Sequence, residues 1–330
     1  MGQATRAVAL CLSTMLAALV ASGSNQPAPG DAPDPRLRAI PPEAIKMMPA
    51  EDDHPPVLHS AEFEKPVPLP GPVNTAGAED SPFMTADGRE FYLFFTPDVR
   101  VPPEKQLLDG VTGIYLSVRR NGVWGMPTRV VLQDPGKLAL DGAEFVHGDE
   151  MWFASAREGY TGVQLFRATR VNGRWSSWRH AGDDILRKKV GEMHISPDGR
   201  DLYFHSERPG GIGGLDIWVM RRTQGGWGEP ELVDGVNTEG SDGWPALSPD
   251  GGELWITRTH RGSPALFRSR RSGVGWSTPE LIVSSFAGEA TIDPQGNLYF
   301  THHFFKSGKM IEADIYMARR RQPATGSAAP

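Results

Sequence analysis

One cysteine stands in the 330 residues, Cys11, and it lies inside the apolar stretch Ala7–Ala21. Once that stretch is removed no thiol is left, which excludes a disulfide framework and thiolate chemistry from the mature chain. A lipid anchor is not indicated either. Its cysteine would follow the apolar stretch behind a small residue, whereas Leu10 precedes this one. Surplus positive charge is also missing: 34 Lys and Arg face 40 Asp and Glu, for a net charge of −6. Nucleic acid is therefore not an expected partner, since phosphate binding needs a basic face. Ala7–Ala21 is shorter than the roughly 20 residues of a membrane-spanning helix.

What is present is glycine (38), proline (29) and a full set of large apolar residues, including 9 Trp and 14 Phe. That mixture suits a turn-rich all-β protein with a sizeable core. Residues 1–23 have the form of a secretion signal: Arg6, then Ala7–Ala21, then small residues that set cleavage after Gly23. The expected location is the periplasm or the cell exterior, with no transmembrane span after cleavage. Residues 24–60 are rich in Pro and Ala and read as a disordered linker, with at most one helical turn at Pro42–Met48. Residues 322–330 read as a disordered tail, which leaves 61–321 as the folded body.

That body repeats one unit. A first strand pairs an apolar residue with an aromatic one at Phe91-Tyr92, Met151-Trp152, Leu202-Tyr203, Leu254-Trp255 and Leu298-Tyr299. A second carries Ile114-Tyr115, Leu165-Phe166, Ile217-Trp218, Leu266-Phe267 and Ile315-Tyr316. Four residues after that aromatic stand Arg119, Arg170, Arg222, Arg271 and Arg320. Trp124, Trp175, Trp227 and Trp276 come five later, with Pro127, Pro230 and Pro279 beyond them and Trp178 breaking the pattern in the second copy. A turn such as Asp87-Gly88, Asp198-Gly199 or Asp250-Gly251 precedes each first strand, and Asp-Gly is a strong hairpin signal.

Four antiparallel strands in units of roughly 45–60 residues define a propeller blade. The fifth copy ends at Arg321 without its Trp strand. Phe63-Glu64-Lys65-Pro66 has the Trp-x-x-Pro frame, and Val73-Asn74-Thr75 repeats Val236-Asn237-Thr238. The expected fold is an all-β, five-bladed β-propeller, closed by pairing Phe63–Leu69 into the last blade beside Ile315-Tyr316. Closure removes exposed sheet edges, and a monomer is expected.

Ser196–Gly199, Ser248–Gly251, Leu202–Phe204, Leu298–Phe300 and the run Arg208-Pro209-Gly210-Gly211 to Trp218 resemble the WD40-like β-propeller repeats of the TolB type. The same run, with Trp227-Gly228-Glu229-Pro230, is similar to the subgroup often fused to OmpA-like peptidoglycan-binding domains. The resemblance implies a scaffold or binding platform in the cell envelope.

In such a ring the loops of variable length, above all Thr96–Gly113 and His303–Asp314, fall on one face, where binding sites are generally placed. Acidic residues recur there near the start of each inner strand: Glu79 and Asp80, Asp141, Glu192, Asp242 and Glu289. If they converge on the channel mouth they could hold a hard cation such as Ca²⁺ or a basic peptide; no other cofactor is expected. The plainer reading is that each accepts backbone hydrogen bonds or pairs with a basic residue such as Arg157 or Arg208. His194 occupies an inner strand where Phe83, Ala143, Ala246 and Thr291 stand in other copies, and His302 opens the last variable loop. Adjacent His302 and His303 point to opposite strand faces, so only one can join the site. The expected function is an exported envelope module that binds a protein or cell-wall component, with no catalytic residue assigned. The alternative is a glycosidase-like propeller with Glu192 or Glu289 as acid and Asp80 or Asp242 as partner.

Overall fold

The computed structural model describes residues 34–322 apart from Val274. The expected signal peptide and cleavage site, and the tail from residue 323, lie outside these residues. The only α-helices among the described residues are Pro35–Ala39, Pro103–Gln106 and Asp183–Arg187, none long enough to cross a membrane.

The rest is β-structure of propeller type, in consecutive antiparallel groups. The first holds Ala78–Met84, Glu90–Thr96, Gly113–Arg120 and the short outer pieces Val123–Trp124 and Thr128–Arg129. Ala139–His147, Glu150–Arg157, Val163–Val171 and Arg174–His180 follow. Next come Met193–Ile195, Asp201–Ser206 and Asp216–Thr223, with Gly226–Trp227 and Glu231–Leu232 outside. A further group holds Asp242–Leu247, Glu253–His260, Ser263–Ser272, Gly275–Trp276 and Glu280–Ser284. The last holds Ala287–Ile292, Leu298–Lys306 and Lys309–Ala318. Its outer strand is Val67–Pro68, paired with Met317 and Tyr316, and Phe63 bridges Arg320. A single parallel bridge, Ala313 to Ala78, joins the last group to the first.

The turns explain why these segments stop where they do. In Ser196–Gly199 the serine hydroxyl donates to Asp198 at 2.6 Å, the same carboxylate accepts from the Arg200 N–H, and Gly199 takes φ +73°. Only glycine adopts that left-handed φ at no steric cost. Ser248–Gly251 repeats the arrangement.

The recurring Arg and Trp are packing partners. Arg119, Arg170, Arg222 and Arg271 each lie 4.3–5.3 Å from the ring of Trp124, Trp175, Trp227 or Trp276 in their own group. In the last group Arg320 lies 5.1 Å from Phe63, which fills the tryptophan's place. The tryptophans also reach the preceding group: Trp175 Nε1 donates to Tyr92 Oη at 3.1 Å, and Trp276 meets Tyr203 edge-on at 5.9 Å. Buried aromatics of this kind supply much of the cohesion between sheets.

The linker expected at 24–60 is corrected for its described part. Residues 34–60 lie against the folded body. Arg36, fully buried, pairs with Asp34 at 2.8 Å and with Glu79 at 3.2 Å. Lys46 pairs with Glu312 and Asp314, and Asp52 with His302 at 2.9 Å. Val57–Leu58 adds a strand outside Glu280–Ser284. Composition does not reveal this, because each anchor is one charged residue meeting a buried partner as far as 268 positions away.

Candidate binding site at the channel mouth

One irregularity in the inner strands decides which side chains face the axis. In four of them two residues oppose one on the neighbouring strand: Ser81-Pro82, Ala143-Glu144, Trp244-Pro245 and Glu289-Ala290. These are β-bulges, which re-aim side chains. The first residue of each has φ between +48° and +55°, a strained setting for any side chain. In the remaining group Glu192-Met193 holds the same place, with Gly191 donating to the His205 carbonyl and His205 donating to that of Glu192. These bulge residues, with Phe83, Phe145, His194, Ala246 and Thr291 after them, line one cavity of about 60 Å³.

The bulge separates the expected carboxylates into two kinds. Glu79, Asp141 and Asp242 lie before it and are buried in ion pairs. Asp141 accepts from Arg157 at 2.8 Å and from Ser155 at 2.6 Å. Asp242 pairs with Arg258 and accepts from the N–H and hydroxyl of Thr238. Glu79 does the same with Arg36 and Thr75, although burial still pushes its carboxyl up to about 7. Their place at the channel mouth is therefore corrected. They hold loops down, as does Arg157, which also stacks on Phe166 at 4.2 Å. Arg208 stacks on Trp218 at 4.9 Å.

The second kind is Glu192 and Glu289, on the bulge, together with Asp80 beside it and Glu144, which the sequence reading missed. The bulge prolines Pro82 and Pro245 were the available signal, because proline inside a strand marks a bulge. Glu144 is 5% exposed and neither carboxylate oxygen has a hydrogen-bond partner. Burial first, then the charges of Glu192 and Asp80, push it up to about 8. Glu192 accepts from Trp244 Nε1 at 3.2 Å; burial and the Asp80 charge raise it to about 7. Glu289 accepts from the Ser81 hydroxyl at 2.5 Å and is raised well above the usual carboxylate range by burial and by Asp80 and Glu192. Burial would raise Asp80 too, but His303, with Nε2 3.7 Å away, and the Ser81 N–H outweigh it and hold the carboxyl at about 2.

The histidines are re-assigned. His303, not His302, faces the site. His302 is buried against Asp52, Phe304 and Tyr316. His194 lies in register with Phe83 and Phe145; the bulge shifts the expected match from Ala143. Its Nδ1 accepts from the Leu247 N–H and burial lowers it to about 3, so it lines the cavity as a neutral ring. The loop His303–Asp314 is a hairpin turning at Ser307-Gly308.

The cluster offers acceptor-rich, partly protonated carboxyls without an arginine to neutralise them. Among the described residues no group of three or more His, Cys, Asp or Glu is arranged to hold a metal ion. The channel cavity equals about two waters' share of liquid volume.

No family model matches the chain, and no curated protein matches it. Among solved structures, TolB from Acinetobacter baumannii is similar at 13% identity and a TM-score of 0.44, covering 76% of this chain and 56% of TolB. A thermostable family-43 glycoside hydrolase is similar at 14% and 0.49, covering 79% of this chain and 97% of that one. A gluconolactonase from Xanthomonas campestris gives 15% and 0.44, covering 84% and 98%. Scores below 0.5 carry no conclusion about this chain's chemistry, and the OmpA-fused subgroup rests on sequence motifs alone.

Proposed function

We propose that the chain is an exported envelope-binding module, a five-bladed ring closed by its own N-terminal strand. On this reading it takes a cationic group of a protein or cell-wall partner into the acidic channel mouth. The export address is supported by the sequence of residues 1–23 alone. The ring is supported by the bulge residues of every strand group lining one cavity, and by Phe63 standing under Arg320 as each tryptophan stands under its arginine.

The observation that carries the binding reading is that, among the described residues, no arginine or lysine pairs with Glu144, Glu192 or Glu289. Other buried carboxyls either pair with Arg or Lys, as Glu79, Asp141, Asp242, Glu312 and Asp314 do, or accept two or more N–H bonds, as Asp216 and Asp293 do, which is what burial demands. Three left unpaired cost stability and return none, which is the signature of a group kept for a ligand. Capture from an envelope extract by chemical cross-linking tests it, comparing the wild type with the triple variant Asp80→Asn, Glu192→Gln, Glu289→Gln. At least a tenfold loss of the captured species is expected, with the thermal melt intact. Equal capture would contradict the reading.

A second reading is favoured by one observation. Asp80 is held near 2 while Glu192 and Glu144 stand near 7 and 8, and such divergence is what acid–base hydrolysis of a glycoside needs. Against it stands the size of the channel, too small for a sugar ring without opening. Turnover of aryl glycosides by the wild type, lost in Glu192→Gln, would transfer the assignment to this reading.

A further inference from the structure

The inner strand Met193–Ile195 is the shortest of its kind, and its bulge residue Glu192 lacks the left-handed φ of the other four. The connection that leads into it carries the helix Asp183–Arg187. At this break in the repeat a cavity of about 280 Å³ opens between the second and third strand groups. Its size is close to the lower end of small-molecule pockets, about 300 Å³.

Its walls are mainly apolar, with Leu165, Ile185 and Val190 among them, and Glu192 lies where it meets the channel cavity. His205 is not an available acceptor, because its neutral ring has one acceptor nitrogen and that faces a backbone N–H, of Glu192 at 3.3 Å or of Trp244 at 3.1 Å according to the tautomer. Lys189 is exposed at the rim. Gln164 and His180 also line the cavity, but Glu192 is the only acid among the lining residues, and it belongs to a cluster with Asp80, Glu144 and Glu289. That cluster repels an anion and attracts a cation, and the energy is large where water is scarce.

We propose that this side cavity is a binding site for a small primary amine carried on an apolar body, the ammonium group meeting Glu192 and the body filling the space between the strand groups. An alcohol of the same shape lacks the charge, and a carboxylate of the same shape carries the wrong one. The site shares Glu192 with the partner reading above and rests on that carboxyl lacking a counter-charge, while its apolar walls belong to the side cavity alone.

The experiment titrates phenethylamine, 2-phenylethanol and 3-phenylpropionate into the full folded chain, following backbone amide resonances by NMR. Saturable shifts at Gly191, Glu192 and His205 are expected with phenethylamine, at least tenfold weaker binding of the alcohol, and none of the carboxylate. Glu192→Gln should remove the preference for amine over alcohol. Ala154→Leu should block the cavity to both while envelope capture continues. Val163→Trp is a second way to block it, at an exposed position that leaves folding intact. The proposal is overturned if phenethylamine does not bind or the alcohol binds equally. It is also overturned if binding survives both blocking variants. Equal envelope capture by the wild type and the triple carboxyl variant, with amine binding by the wild type retained, would count against the partner reading alone.

Discussion

Glu144→Gln should stabilise the protein at pH 8.5 by up to about 5 kcal/mol and leave it almost unchanged at pH 4.5. The folded carboxyl is raised from 4.5 to about 8, and each unit of such a shift is worth about 1.4 kcal/mol. A raised folded value means that the stabilising contribution is complete below about 4.5 and is lost as pH rises through about 8. The wild type loses this contribution on going alkaline; the glutamine variant has no charge to bury and does not. Urea denaturation at the two pH values measures the difference. Glu192, near 7, and Glu312, raised by burial to about 7, add to the same trend. The wild type should therefore be more stable near pH 5 than near pH 9. A variant no more stable than the wild type at pH 8.5 would mean that the Glu144 carboxyl has water or a counter-charge beside it.

Arg268→Met should cost about 3–5 kcal/mol, the usual result of removing one partner from a buried ion pair. Arg268 is fully buried and donates to Glu62 at 2.8 Å, to Glu253 at 3.2 Å and to Glu280, while facing the rings of Trp255 and Phe63. It ties the N-terminal strand to the preceding group. Loss of the arginine leaves Glu253 with Arg320 as its one cationic partner, beside the Trp255 Nε1–H it accepts. The Arg268 hydrogen bond is the first cause that lowers Glu62 to about 2. A lowered folded value stabilises above about 4.5 and is lost as pH falls through 2, so the variant should also lose part of its acid sensitivity. Hydrogen exchange should accelerate at residues 63–69 before the rest of the sheet. A loss under 1 kcal/mol would remove Arg268 from the account of how the N-terminal strand is held.

The strand grammar was legible because it is local. Alternating residues such as Leu202-Tyr203-Phe204, punctuated by Asp-Gly turns, announce strands through a period of two. Phe63-x-x-Pro66 was found because it copies a frame printed several times in the chain. The site was misread where register is not local. A bulge adds one residue to a strand without altering its alternation, so Glu79, Asp141 and Asp242 looked equivalent to Glu192 and Glu289, though only the latter reach the channel. Glu144 carries no sequence signal of its own for the same reason. Arg36, Lys46 and Asp52 were assigned to a linker because their partners lie in distant parts of the sequence.

The central claim is that the channel mouth holds glutamates, Glu144 and Glu192, which the described residues leave without a counter-charge, beside an Asp80 that His303 keeps ionised. A site-resolved ¹³C NMR titration of the side-chain carboxyls measures this. The account predicts midpoints near 8 for Glu144 and near 7 for Glu192, with Asp80 ionised down to about 2. All three titrating together between about 4 and 4.5, the ordinary range for carboxyls in water, would contradict it.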